Sequence, residues 1–346
     1  MTKSAPRQTW IDCVRGIGII LVVLGHYDQG VNPLCRWISS FHMPLFFILS
    51  GILVAMHGAY EGKPLRGVLV RKAKQLFYPF AAFSLLVILS CLLRSQPAMA
   101  ARVAYYTVTL EGHSVLWFLP ALWMAECMLL VLLRSKIPDH LGTAAIIAGT
   151  SVYAALQYYA IGGAVPADEG LHYLILNGLC RAGIGFVFMM IGYKGYLMRG
   201  RFAAVQTGRL RLFALLTFAL GCLFGFINGM PDLHFSVQRN PLLYYLAALM
   251  QSGGLIVFIA VTLPKNAMLE FFGRNSLVIM ATHYPLPVIN LVQFLMAHAL
   301  TGMRYADDLI GCAVVMAVET IIILMINRFF PFLLRMPALK RGRHGA

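Results

Sequence analysis

Charged side chains are scarce in this chain, and acidic ones are the scarcest. Among 346 residues only 12% are charged, and Asp and Glu together number 13. Soluble globular domains carry about twice that proportion of charged residues, so the composition excludes a soluble globule. Hydrophobic residues instead make up 60% of the chain, and the mean hydropathy is +0.75. These values are typical of a membrane protein.

Features of secreted, metal-binding and modular proteins are also missing. The seven cysteines are scattered and include no CxxC pair, which argues against a disulfide framework or a metal site. The first apolar run lacks a small-residue cleavage site, so we predict no cleavable signal peptide. No connection between apolar runs is long enough for a soluble domain, and no internal repeat supports an inverted-repeat transporter. We expect a single transmembrane domain over residues 1–346.

Long apolar runs are abundant. They recur at roughly the 20 residues that a helix needs to cross a bilayer. We predict an all-α, polytopic integral membrane helical bundle with about ten transmembrane helices. The predicted spans are 11–29, 41–58, 76–93, 115–133, 143–161, 173–193, 211–228, 242–263, 275–298 and 309–333.

The net charge of +15 is distributed unevenly between the two sides of the predicted bundle. With the N-terminus inside, most Lys and Arg residues fall in inner segments and few in outer loops. This bias follows the positive-inside rule, so both termini, about 1–9 and 335–346, are predicted to be short cytoplasmic tails. The basic residues lie on short loops at one membrane face, and this distribution excludes a nucleic-acid binder. The C-terminal KRGRH (340–344) is expected to be a solvated tail that contacts membrane lipids.

Two ionisable residues in the first predicted span, Arg15 and His26, are the strongest functional signal. A helix turns about 100° and rises about 1.5 Å per residue, so both side chains fall on one face, about 16 Å apart. Ionisable residues inside a membrane are costly and mark paths or reactive centres. Snorkelling to the interface equally explains Arg15, and a single interfacial hydrogen bond equally explains His26.

The start of the second span carries another histidine. Pro44 falls in its first turn, where a missing N–H does no harm, so His42 is expected at the outer end, near the level of His26. Ser50 and Gly51 are small and permit close contact with another helix. His42 is therefore a candidate for the same site as His26.

Further ionisable residues lie inside later spans. His283 is near mid-membrane, and Pro285 and Pro287 after it are expected to break the helix. It is either a second catalytic or orienting residue or a packed histidine. Arg181 in the sixth span either contacts the acceptor sugar or a lipid-carrier pyrophosphate, or pairs with an acid. Glu319 in the last span is a candidate partner for an intramembrane cation.

Four segments extend over most of the chain. They are DCVRGIGIILVVLGH (12–26), SFHMPLFFILSG (40–51), LWFLPALW (116–123) and FFGRNSLVIMATHYPL (271–286). In residues, order and separation they resemble the acyltransferase 3 family of integral membrane acyltransferases, and within it the fucose 4-O-acetylase-like branch. The resemblance implies ten spans and a multi-pass protein of the bacterial cytoplasmic (inner) membrane.

The resemblance also implies roles for particular residues. The family's Arg-x10-His signature falls on Arg15 and His26, with His26 as the catalytic histidine. A basic pair on the loop entering the third span, often Arg-x-x-Arg, falls on Arg71 and Lys74. Lys74 departs from that pattern, and Lys lacks the bidentate fork of Arg. The family's histidine in a late span falls on His283.

The implied donor is acyl-CoA, made in the cytoplasm, with acetyl-CoA as co-substrate and no permanently bound cofactor or metal. The basic segment VRKAKQ (70–75) either binds the CoA phosphates or is only the positive-inside signal. Many relatives have an acidic residue after the tryptophan of the fourth-to-fifth span region. Trp117 is followed by FLPALW, and Glu126 is the nearest candidate.

We predict a membrane O-acyltransferase that moves acetyl from acetyl-CoA to a hydroxyl of a cell-surface or exported glycan. The acceptor is an exopolysaccharide, an O-antigen or a lipid-linked sugar, and polysaccharide-assembly proteins are expected partners. The imidazole of His26 either deprotonates the sugar hydroxyl or is itself acylated. The alternative is a transporter or flippase that uses buried His and Arg for coupling. A third class is a sensor or assembly scaffold.

Overall fold

The computed structural model describes residues 8–28, 32–58, 62–160, 170–202, 205–296 and 303–334. Within these ranges the chain is mainly helical and forms no strands, apart from an isolated bridge between Asp232 and Val237. The predicted all-α fold class is confirmed. The α-helices are α1 (Thr9–Asp28), α2 (Pro33–Ser39), α3 (His42–His57), α4 (Leu65–Leu93), α5 (Pro97–Val108), α6 (Phe118–Arg134), α7 (Asp139–Ala160), α8 (Leu171–Leu197), α9 (Thr207–Asn228), α10 (Pro241–Thr262), α11 (Ala267–Arg274), α12 (Ser276–Thr282), α13 (Val288–Met296) and α14 (Arg304–Phe329). Short 3₁₀ helices cover Ser114–Trp117, Met198–Phe202 and Pro331–Leu333.

Eight stretches of the described chain are helical, long and apolar enough to cross a membrane. They contain α1, α2 with α3, α4, α6, α8, α9, α10 and α14. The chain is therefore a multi-pass membrane protein. About ten spans were predicted, and two of them, 143–161 and 275–298, are not among these eight.

The two differences have separate causes. α7 follows the predicted span 143–161, but Gly, Ser, Thr and Gln interrupt its apolar residues. The span predicted over 275–298 is broken between α12 and α13. Pro285 and Pro287 in the break have no backbone N–H to donate. The Ile289 N–H donates instead to the His283 carbonyl oxygen, at 3.1 Å, and the expected proline break is confirmed.

Close helix packing positions the elements that carry the candidate residues. A Cβ at Gly16 of α1 would overlap the Leu269 backbone of α11, and one at Gly51 of α3 would overlap the Met189 backbone of α8. Inside a bilayer the hydrophobic effect contributes little to helix association, so helices are held together mainly by van der Waals contact. Small residues at a crossing let the two backbones come close enough for that contact. The predicted close contact at Gly51 is confirmed.

The helices differ in how deeply the bundle encloses them. In α8 all residues from 180 to 190 are buried, whereas α9 exposes most of its apolar side chains. An exposed apolar helix suits contact with lipid tails. Arg181 of α8 therefore lies in the protein interior and not at a lipid-facing surface.

Candidate functional site

A cavity of about 930 Å³ lies inside the helix bundle. Arg15 and His26 both line it, so the face of α1 that they share borders the cavity. Their separation of about 16 Å along the helix shows that the cavity is elongated. Its polar and ionisable wall residues include Arg15, His26, His42, Arg102, Glu111, His113, Asp232, His234 and Arg274.

Two arginines, Arg15 and Arg274, line one end of the cavity, which we call the Arg15 end. Arg274 is the last residue of α11. A Cβ at Gly273 would overlap the Asp12 carbonyl of α1, so this contact brings Arg274 near the level of Arg15. Guanidinium groups present forks of N–H donors that match phosphate geometry. Sequence reasoning did not single out Arg274, although its segment was among the four that resemble the family.

His26 and His283 form a hydrogen-bonded pair at the cavity wall. His26 Nδ1 lies 2.8 Å from the Val22 carbonyl oxygen, and His283 Nδ1 lies 2.6 Å from that of Ile279. A carbonyl only accepts, so both Nδ1 atoms carry the proton in the neutral rings. His283 Nε2 lies 3.3 Å from His26 Nδ1 and accepts a share of its N–H. His26 Nε2 therefore keeps its lone pair.

Burial distinguishes the two histidines of this pair. His26 borders the cavity, whereas His283 is 0% exposed and lies behind it. The Tyr284 ring, centred 5.0 Å from that of His26, also borders the cavity. His42 repeats the geometry of His26, because its Nδ1 lies 2.8 Å from the Ile38 carbonyl oxygen. The structure thus brings His26 and His42 to one cavity. His283 lies behind the cavity wall and contacts His26.

Glu319 of α14 lies next to this group and is 0% exposed. Its Oε2 accepts from the Thr282 hydroxyl at 2.7 Å, and Thr282 precedes His283. The expectation that Glu319 pairs with an intramembrane cation is wrong for the part of the chain described, because its contact there is a hydroxyl. Thr282 is the last residue of α12, and the packing of α12 against α14 brings its hydroxyl to the acid.

The opposite end of the cavity, which we call the Glu111 end, contains a buried ion pair. Arg181 is 1% exposed and pairs with Glu111. Its guanidinium carbon lies 5.3 Å from the centre of the Trp117 ring. The His234 ring is nearly parallel to that of Trp117, at 7° and 5.8 Å between centres, and His234 Nε2 lies 3.7 Å from Glu111 Oε1. Arg181 itself lies behind the wall and has the acidic partner that was one of its two alternatives.

Burial sets the charge of the loop residues at the Glu111 end. It raises the pKa of the Glu111 carboxyl above its usual value, which the nearby Arg181 opposes. Burial also raises the pKa of Asp232, although the backbone N–H groups of Phe235 and His234 donate to this carboxyl. Burial and then the positive charge of Arg181 hold the pKa of His234 well below its usual value. His234 is therefore a neutral imidazole at pH 7.

The basic segment of α4 lies outside the cavity wall. Arg71 and Lys74 are exposed, and neither lines the cavity. Lys72 Nζ instead pairs with the buried Glu126 at 2.7 Å, and Glu126 does not line the cavity. Leu76 of the same helix does border the cavity, which places Lys74 within one turn of the wall.

Glu111, Asp232 and His234 are residues that sequence reasoning missed. Glu111 lies six positions before Trp117, whereas the acidic residue was sought after that tryptophan. Asp232 and His234 lie in the connection between α9 and α10. No spacing along the chain relates this connection to Glu111. Only the packing of α8 against the 3₁₀ turn and the connection brings them together.

The sequence matches the acyltransferase 3 family, described as an acyltransferase domain, over residues 8–328. This match extends over most of the chain, and the protein belongs to that family. It is therefore a membrane acyltransferase. A comparison with curated proteins found no match. Within the described residues, no three or more His, Cys, Asp and Glu side chains form a group that could hold a metal ion.

Proposed function

We propose that this protein is an O-acetyltransferase of the bacterial inner membrane that moves acetyl from acetyl-CoA to a hydroxyl of a cell-surface or exported glycan. It would belong to the fucose 4-O-acetylase-like branch. One observation carries the proposal: a single cavity connects a pair of arginines, an imidazole with a free lone pair and a polar, aromatic end. This is the order that a donor, a catalytic base and an acceptor require.

The Arg15 end suits the donor because CoA carries phosphate groups. Charge-assisted hydrogen bonds from Arg15 and Arg274 would hold them. By the charge distribution this end faces the cytoplasm, where acetyl-CoA is made. Arg71 and Lys74 are proposed to attract the CoA phosphates at the rim of the cavity, since Leu76, two residues after Lys74, borders it. Lys72 is left out of this set because it pairs with Glu126.

His26 is proposed as the catalytic residue. Its Nε2 would take the proton of the acceptor hydroxyl while that oxygen attacks the thioester carbon. A C–O bond then forms and the C–S bond breaks, and the proton passes from His26 to the CoA thiolate. A second route begins with attack of Nε2 on the thioester, forming an acetyl-imidazole. His283 is proposed to position His26 and to keep its proton on Nδ1, while His42 contacts the substrate from the same wall.

The decisive experiment compares two histidine variants. Membranes that contain the wild-type protein, His26→Ala or His57→Ala receive radiolabelled acetyl-CoA, and label in the glycan fraction is counted. His57 is a matched control because it makes the same Nδ1 contact, to Leu53, at 2.8 Å on an exposed helix end. Acetylation should disappear in His26→Ala alone, at equal protein levels. Transfer that persists in His26→Ala contradicts the mechanism, and transport of unaltered donor or glycan by the wild type would favour the transporter class.

A further inference from the structure

The Glu111 end contains more polar chemistry than packing alone explains. Burying an ion pair takes two charges out of water, and apolar residues of similar volume often serve as well or better. Inside a membrane the penalty for ionisable residues is high. Yet Arg181 and Glu111 are 1% and 5% exposed, and Glu111 borders the cavity. This carboxylate can therefore contact a molecule in the cavity.

Side chains of α8 add donors beside Glu111. Tyr173, Asn177 and Arg181 are spaced four residues apart, which places them on one helix face. Asn177 donates to the His234 carbonyl at 2.9 Å. The Tyr173 hydroxyl and Arg181 Nε and Nη1 have no hydrogen-bond partner among the described residues. Tyr173 is 8% exposed and lines the cavity, so its buried hydroxyl is an unpaired polar group in the cavity wall.

Aromatic rings complete this end of the cavity. Trp117 and His234 are nearly parallel, and the Phe235 ring is centred 4.4 Å from that of His234. Aromatic rings beside a carboxylate suit a sugar. The C–H groups of a sugar can contact the rings, and its hydroxyl groups both donate and accept hydrogen bonds. Pockets commonly combine apolar surface with a few such polar groups.

The balance of charge selects between neutral and phosphorylated ligands. Glu111 and Asp232 face Arg181 and the more exposed Arg102, so the Glu111 end has no surplus of cations. Arg181 pairs with Glu111 and lies behind the cavity wall. A pyrophosphate would meet two carboxyl groups, whereas a neutral sugar would find hydrogen-bond partners.

We propose that the Glu111 end binds the acceptor through a neutral sugar ring, with Glu111 accepting from its hydroxyls, Tyr173 at its rim and the mutually stacked His234 and Trp117 rings lying beside it. Its identification as the acceptor site rests on the proposed function. The ring would lie beyond His26 from the donor, with one hydroxyl directed toward Nε2. Glu111, Tyr173 and His234 are then residues that determine acceptor specificity.

Saturation-transfer NMR on the purified full-length protein tests this inference without any acyl donor. The probes are methyl glycosides of glucose, galactose, mannose and fucose, with inorganic pyrophosphate as competitor. At least one glycoside should bind the wild type, and Glu111→Gln should weaken its binding about tenfold or more, as expected for hydrogen bonds to a charged group. His234→Ala should weaken it less. Asp139→Asn, which alters the ion pair with the remote Lys194, should bind like the wild type.

A double variant separates loss of binding from misfolding. Glu111→Gln leaves Arg181 without its carboxylate, so the double variant with Arg181→Met removes both charges and should show the same loss. Unchanged binding in well-folded variants, displacement by inorganic pyrophosphate, or no glycoside binding to the wild type would overturn the proposal. Because acetyl-CoA is absent, this readout stays separate from failure of acetyl transfer, which would instead contradict the proposed function.

Discussion

The hydrogen bond between His26 and His283 allows the roles of the two histidines to be separated by magnitude. In His283→Leu an apolar side chain replaces the imidazole, and His26 Nδ1–H keeps only its bond to the Val22 carbonyl. One such bond contributes a net ~0.5–1.5 kcal/mol, and 1.36 kcal/mol is tenfold in rate. We therefore expect kcat to fall about two- to twelve-fold. The KM for acetyl-CoA should stay unchanged because His283 does not border the cavity.

The assay is thiol release from acetyl-CoA by purified protein in the presence of acceptor, with kcat and KM determined separately. His283→Gln should recover part of the loss, because its amide oxygen can accept from His26 Nδ1–H. Removing a general acid or base itself costs about 10²–10⁴ in rate. A loss of that size in His283→Leu, at an unchanged melting temperature, would show that His283 contacts the reacting atoms. Unchanged kcat would equally refute the positioning role.

Two further substitutions test the packing and the donor end. Gly51→Leu should lower the melting temperature or prevent accumulation of the protein, because overpacking costs at least about 1–3 kcal/mol. Gly195→Leu on α8 is the control, because open space surrounds Gly195. Equal effects of the two substitutions would contradict the packing argument. Arg274→Gln should raise the KM for acetyl-CoA about tenfold through loss of a charge-assisted hydrogen bond, with little change in kcat. The control substitution Arg328→Gln, at an exposed arginine, should leave the KM unchanged. An unchanged KM in Arg274→Gln would show that Arg274 does not bind the donor.

Helical periodicity explains why part of the candidate site was predictable. Arg15 and His26 lie on one uninterrupted helix, so their spacing alone places them on one face. In the structure that face lines the cavity. Pro285 and Pro287 likewise predicted a break, since neither has a backbone N–H. In both cases the property depends on residues close together in sequence.

Contacts between distant elements were not predictable in this way. Arg181 has an acidic partner 70 residues away in the chain, and His283 contacts His26 across 257 positions. The residues between them do not encode which helix faces meet. The basic segment of α4 shows the same limit, because Lys72 pairs with a buried acid while its neighbours Arg71 and Lys74 stay exposed.

The sequence by itself determined that this is an α-helical, multi-pass membrane protein, because apolar run length and scarce charge depend on composition along the chain. It also determined that Arg15 and His26 share a helix face. Only the tertiary structure decided that His283 lies behind His26, that Arg274 joins Arg15, and that Glu111, Trp117 and His234 form the far end of the cavity. The close crossing of α1 and α11 at Gly16 and Gly273 sets the Arg15 end, and packing of α8 against the 3₁₀ turn and the α9–α10 connection sets the Glu111 end. Tertiary packing therefore decides which side chains meet.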